Sequence, residues 1–208
     1  MSVRLRVFRD RGVDEAVVDA VLEAVVGVWG TAVTFTVERG PTIELPVALP
    51  GGAVGPLRTW VEAHARPPRR GIQLVVIPRV VDPGTKDLPA DGLALPARAA
   101  RDEDPAAVAL RAALGAAPWT PSAFVAAASW LDRGRRPEVE TMPAHEVGHL
   151  FGLAHADPGN LMGPYGGRHV TEAQAAAVAA WAAAQTAEDR AATSTRRGPT
   201  RAPAPGAR

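Results

Sequence analysis

Apolar and polar residues alternate along residues 3–8, VRLRVF, and this period of two predicts a strand. The period then lengthens. Val13, Val17, Val21, Val25 and Val28 recur at helical spacing, and Asp14 and Glu15 suit a helix's positive end. With Gly30 as a stop, the pattern predicts an amphipathic helix from Val13 to Trp29. Residues 32–38, AVTFTVE, are rich in β-branched side chains and predict a second strand. A β-α-β opening of this kind favours parallel strands joined by a right-handed crossover. Residues 72–77, IQLVVI, are a short continuous apolar run, the pattern of a buried central strand.

Between and beyond these elements the pattern is more broken. Residues 40–56 read as loop, with a short extended piece at Ile43–Leu45, and Leu57 to Ala65 as a short helix. The Arg66-Pro-Pro-Arg-Arg run is either a basic docking patch or a solvated loop, and the loop is favoured because basic runs are usually just exposed. Residues 82–92 carry Pro-Gly and Asp-Gly and read as loop. GLALPAR, residues 92–98, alternates weakly, and its proline suits a sheet edge; the alternative is an ordinary loop. Asp102, Glu103 and Asp104 precede Pro105. A helix cap at Asp104 leading into a helix over residues 105–114 is favoured over a Ca2+ site, which needs six or more oxygen ligands. SAFVAAASWL, residues 122–131, reads as another strand, and Arg133 to Pro137 as a charged turn. Thr171-Glu-Ala-Gln174 is a capping box that opens a last helix through about Thr186, with Val178 and Trp181 toward the core. From Glu188 onward periodicity is lost, so residues 1–187 are expected to form the folded domain and residues 188–208 a disordered tail.

Composition narrows the function classes. At 208 residues and 47% hydrophobic content, the chain can bury a proper core in one domain. A formal net charge of +1 gives no global attraction to nucleic acid or to an anionic membrane surface. No apolar run is long enough to span a bilayer. MSVRLRVFRDRG reads as a strand and not as an export signal, so the expected compartment is the cytoplasm. The five tryptophans are expected in the core, and a monomer is expected. His64 and His169 could join a second metal site, but exposed loop positions are favoured.

The chemistry concentrates in HEVGHLFGLAH, residues 145–155. Residues four apart share one helix face, so His145 and His149 can point imidazole nitrogens at one zinc ion. Glu146, one residue along, can reach a water in an open position on that ion. Gly152 can take a positive φ, ending the helix near it and turning the chain so that His155 supplies a third ligand. Thr141 and Pro143 suit the start of this helix. A structural helix has no reason to gather three of five histidines in one window. Asp157-Pro158-Gly159 then begins a tight turn that carries Met162. Taken alone, Met162 reads as core filling; its spacing from His155 raises it above that.

Together, His145 to Tyr165 resemble the metzincin pattern HExxHxxGxxH with a methionine turn, and within it the matrixins (the matrix metalloproteinase clan). Gly148, Leu153, Asp157, Pro158, Leu161, Met162 and Pro164 carry the matrixin likeness, which spans about twenty residues. The resemblance implies an α+β metzincin-like single domain with an α/β-like opening. Its sheet would be twisted and mostly parallel, of about four to five strands. An antiparallel edge strand, an active-site helix, a Met-turn and a C-terminal helix would complete it. It implies His145, His149 and His155 as ligands of one catalytic Zn2+, Glu146 as general base and Met162 as a floor beneath the histidines. Gly152 would be structural at the site, and Pro164 and Tyr165 would line a primed-side substrate pocket. Tyr165 could equally donate a hydrogen bond to an oxyanion or be a half-buried turn residue. The edge strand, placed at residues 92–98, would pair with an extended peptide substrate. Without any cysteine, neither a cysteine switch, nor disulfide staples, nor the Cys-bound second zinc of archaemetzincins is available. The expected function is that of a zinc endopeptidase; the alternatives are a zinc-containing module that holds a peptide uncut and a hydrolase of non-peptide amides. Since matrixins act outside cells, the resemblance also raises secretion by a signal-independent route.

Overall fold

The computed structural model describes residues 1–45, 58–66, 69–81, 89–95, 119–134, 137–163 and 167–196. Strand β1 (Ser2–Asp10), helix α1 (Glu15–Trp29) and strand β2 (Thr34–Ile43) form the predicted β-α-β opening, and β1 and β2 pair in parallel. Helix α1 starts two residues after the expected Val13, because Asp14 serves as its cap: the Asp14 side chain accepts from Ala16 N–H at 2.9 Å. That bond satisfies one of the amides that a helix start leaves without an intrahelical partner. Val17, Val21 and Val25 are buried as the period requires, and Val18 and Trp29 join them.

Strand β2 continues past its predicted end through Arg39, Gly40 and Pro41 to Ile43. Proline is tolerated because β2 is the edge of the sheet, where one side of the backbone needs no strand partner. A π-helical turn, Val61–Ala65, falls within the predicted short helix. Strand β3 (Ile72–Ile77) follows, buried at every residue. A small antiparallel pair joins β4 (Val80–Val81) to β5 (Pro89–Ala90), so the segment read as loop, residues 82–92, contains a short strand near its end. Strand β6 (Gly92–Leu95) and strand β7 (Ser122–Ala126) complete the main sheet, of order β2-β1-β3-β7-β6. The pairs β1–β3 and β3–β7 are parallel, whereas β6 runs antiparallel to β7 at the far edge. The fold is therefore α+β with a mostly parallel five-stranded sheet and an antiparallel edge strand.

The alternation of β-strand side chains divides the core between two faces. Leu5, Leu74, Val76, Ala123 and Val125 face α1 and the later helices, whereas Phe8, Val75, Ile77 and Phe124 pack with Trp60 and Trp119 on the opposite face. This explains why β3 reads as a continuous apolar run: it is covered on both sides. Four tryptophans, Trp29, Trp60, Trp119 and Trp130, are buried, and Trp181 packs partly buried against the core.

One predicted strand is shorter than expected. SAFVAAASWL pairs as β7 only through Ala126, and Ala127–Leu131 forms helix α2. The run of alanines carries little strand preference, and the helical turn buries Trp130 while leaving Leu131 exposed. A 3-10 turn, Pro137–Thr141, leads into helix α3 (Met142–Leu150), which carries the histidine motif. Two short strands, β8 (Gly159–Asn160) and β9 (Gly167–His169), precede helix α4 (Glu172–Arg196). The capping box is present: Thr171 N–H donates to Gln174 Oε1 at 2.9 Å, and Gln174 N–H donates to Thr171 Oγ1 at 3.2 Å. Helix α4 runs beyond the expected end near Thr186 to Arg196, so the stretch read as tail is helical at its start. Its extension contains the good helix formers Ala187, Glu188, Arg190, Ala191 and Ala192, which continue a helix without an apolar period. No helix among the described residues is long and apolar enough to cross a membrane.

Several sequence expectations fall on residues outside the described ones: the acidic cluster Asp102, Glu103 and Asp104 with its helix, the pocket residues Pro164 and Tyr165, residues 96–98 of the expected edge strand, residues 46–56 of the expected loop, residues 67–68 of the basic run and residues 197–208 of the expected tail. Neither histidine outside the motif is a loop residue. His64 is half-buried on the π-helical turn, 4.5 Å from the Trp60 ring, and burial together with Arg6 pushes its pKa below the ordinary value. His169 is exposed in β9.

Candidate metal centre

Helix α3 lies against α1, the start of β6 and β7. Trp29, fully buried at the end of α1, donates its indole N–H to the Ala144 carbonyl at 2.8 Å. This fixes the turn of α3 that carries His145. Gly148 allows the closest approach on the helix's inner face. A Cβ there would meet Met162 Sδ at 2.5 Å and the Trp29 ring at 3.1 Å. Met162 is itself fully buried, so its thioether packs against the helix backbone between His145 and His149.

The end of α3 is built as the sequence predicts. Gly152 has φ +84, and the Gly152 and Leu153 amides donate to the carbonyls of His149 and Gly148 at 3.0 and 3.2 Å. These two bonds define a Schellman turn, which reverses the chain into Ala154 and His155. Gly152→Ala meets no steric neighbour, so its cost is that of the left-handed backbone alone. We expect a loss of about 1–2 kcal/mol of stability, read by denaturant unfolding, together with weaker metal binding as His155 is re-aimed. An unchanged unfolding midpoint would show that the turn tolerates a side chain.

The three imidazoles converge. One ligand nitrogen from each of His145, His149 and His155 lies within 4.8 Å of the others, and they are the one such group among the described residues. His145 is buried, His149 is half-buried and His155 is exposed, so the cluster opens to solvent on the His155 side. His145 Nδ1 lies 2.8 Å from the Leu161 carbonyl and His149 Nδ1 lies 2.8 Å from the Leu153 carbonyl. Because a carbonyl only accepts, each neutral ring carries its proton on Nδ1 and presents an Nε2 lone pair. Those two Nε2 atoms are 3.1 Å apart. With both protons on Nδ1, no hydrogen bond can join them, and facing lone pairs are favourable only around a cation. Zinc–nitrogen bonds of about 2.0–2.1 Å in a tetrahedron place two ligand nitrogens about 3.3 Å apart, so the donors fit Zn2+. Burial pushes His145 below its ordinary pKa, with His155 adding to the effect and the Leu161 bond opposing it. Its ring is thereby held in the neutral, ligating form at pH 7.

Glu146 is buried beside His145, with its side chain against Gly92 at the start of β6. Neither that neighbour nor the two orienting carbonyls was legible in the motif. Nor was a clasp behind the methionine turn. The Asn160 and Gln174 side-chain amides pair through two bonds of 3.0 and 2.8 Å, and Asn160 Oδ1 also accepts from Met162 N–H at 2.8 Å. Leu161, between these two residues, donates its own N–H to the His169 carbonyl at 2.7 Å. The cap of α4 thus holds the residue whose carbonyl orients His145. The capping box revealed Gln174, but only the fold shows its second partner. Gln174→Ala should weaken zinc binding roughly 10–100-fold, the range found when groups that orient metal ligands are removed. Competition with a chromogenic chelator measures this; unchanged affinity would reduce the clasp to a local helix cap.

No protein-family model matches the chain, and no curated protein matches it. Solved structures do. An archaemetzincin from Methanopyrus kandleri superposes with a TM-score of 0.54 at 16% identity, covering 87% of this chain and 96% of that one. Metalloproteinase-II from Bacteroides fragilis gives 0.51 at 13% identity, covering 86% of this chain and 52% of that one. The chain thus spans about half the length of the Bacteroides protein. A zinc-dependent peptidase from Methanocorpusculum labreanum gives 0.49 at 18% identity, over 84% and 99% of the two chains. At such identities the first two likenesses establish a shared fold and leave each residue's role to the geometry.

Proposed function

We propose that this chain is a zinc-dependent peptidase that cleaves within extended peptides. The observation that carries the proposal is the pair of carbonyl-oriented imidazoles with Nε2 atoms 3.1 Å apart, beside a third histidine and a buried glutamate. His145, His149 and His155 would hold the ion. When bound, zinc supplies a Lewis acid that polarises a carbonyl and brings the pKa of water down to about 7 in related sites. Glu146 takes a proton from the attacking water and delivers it to the leaving amine. Its place directly after His145 on α3 supports that role, because the helix holds it beside the ligands. No side-chain nucleophile takes part, and no covalent intermediate forms.

Strand β6 is the edge that would receive substrate. Among the described residues it has one strand partner in the sheet, β7, and it packs beside α3. An extended peptide can add to such an edge through backbone hydrogen bonds. The matrixin likeness extends the proposal. Met162 would be the floor under the ligands, in keeping with its packing on Gly148. Pro164 and Tyr165 would shape the primed-side pocket, and residues 1–187 would be the catalytic domain.

A fluorogenic peptide library, assayed with and without a zinc chelator, tests the reading. Cleavage that the chelator stops and added zinc restores is expected, with internal cut sites identified by mass spectrometry. Peptide retention without cleavage would replace the enzyme by a zinc-containing binding module, and release of a non-peptide amine alone would move the substrate to another amide class.

A further inference from the structure

Gly92 occupies a position where its backbone does not call for glycine. It is the first residue of β6 and pairs in register with Val125 of β7. The left-handed conformation falls at Gly71, Gly152 and Gly159 among the described residues, and not at Gly92. Glycine weakens a strand relative to alanine, because it loses more freedom on folding and offers no side chain to pack. What Gly92 supplies is space. A Cβ there would lie 2.5 Å from Glu146 Cγ, 2.9 Å from Cδ and 2.8 Å from Oε1. All three of its nearest atoms belong to that one side chain, and Cγ is not a free tip that swings away cheaply.

We propose that Gly92 is a positioning residue for Glu146: by lacking a side chain, the edge strand lets the carboxylate lie against it, pointed at the reacting water. This rests on the peptidase reading for its catalytic consequence, but the contact itself does not. Any side chain at residue 92 pushes Glu146 out of place while leaving the three histidines where they are. Displacing a catalytic group by about 1 Å lowers turnover on the order of 100-fold, because proton transfer depends steeply on geometry.

The test is a double-mutant cycle on zinc-loaded full-length protein, with Gly92→Ala made in the parent and on Glu146→Ala. In the parent, Gly92→Ala should lower kcat roughly 10–100-fold with KM and bound zinc unchanged, a split that general destabilisation of the strand would not give. On the Glu146→Ala background, where Cγ and the carboxylate are gone, the same change should raise the melting temperature as strand preference improves. In the parent it should lower it. Equal shifts of melting temperature in the two backgrounds would overturn the proposal, as would a parent-like kcat in Gly92→Ala. If the parent itself cleaves no peptide, the peptidase reading fails while the thermal cycle still decides whether residues 92 and 146 are coupled.

Discussion

Glu146→Ala is expected to keep a full complement of zinc and lose turnover. The glutamate is not among the three converging ligands, so metal content has no reason to fall. In the proposed mechanism its loss removes the group that receives and returns the proton, a contribution of roughly 10²–10⁴ in rate. The variant should fold, because alanine is the best helix former and α3 keeps its anchor from Trp29 to Ala144. Metal analysis and single-turnover cleavage on the same preparation separate the two effects. Cleavage at the parent rate would remove Glu146 from the mechanism, and loss of zinc would make it part of the metal site.

His149→Ala should lose both metal and activity. His149 lies one helical turn from His145 and stands 4.7 Å, ring to ring, from both His145 and His155, so it is the ring close to both other ligands. Its removal leaves two donors, and two imidazoles without a third hold zinc poorly. The Leu153 carbonyl also loses its donor, but on a partly exposed turn water can replace it. Zinc content near zero after gel filtration, with melting temperature close to that of the chelated parent, is the expected result. Full zinc content would strike His149 from the ligand set.

Much of this site was legible without coordinates because its chemistry is local. His145, Glu146, His149, Gly152 and His155 span three helical turns or fewer, and helix periodicity alone places the first three. The sign of φ at Gly152 followed from the need to reverse direction in so few residues, and it is positive. The β-α-β opening and the buried strand β3 were legible for a similar reason: each is a periodic pattern over neighbouring residues. The errors fell where local preference was weak. The alanines after Phe124 suit helix as well as strand, and pairing with β3 ended at Ala126. Helix α4 ran on to Arg196 through residues without an apolar stripe.

The amino-acid sequence by itself determined the donor set, the glutamate beside it and the turn that brings in the third histidine, because those depend on spacing along one chain segment. Tertiary structure decided everything that crosses from one segment to another. It chose the carbonyl that holds the His145 tautomer, seated Met162 on Gly148, joined Asn160 to Gln174 and laid a bare glycine of the edge strand against Glu146. Such contacts join residues far apart in the chain, and no periodicity encodes them; they arise only when the sheet and helices pack.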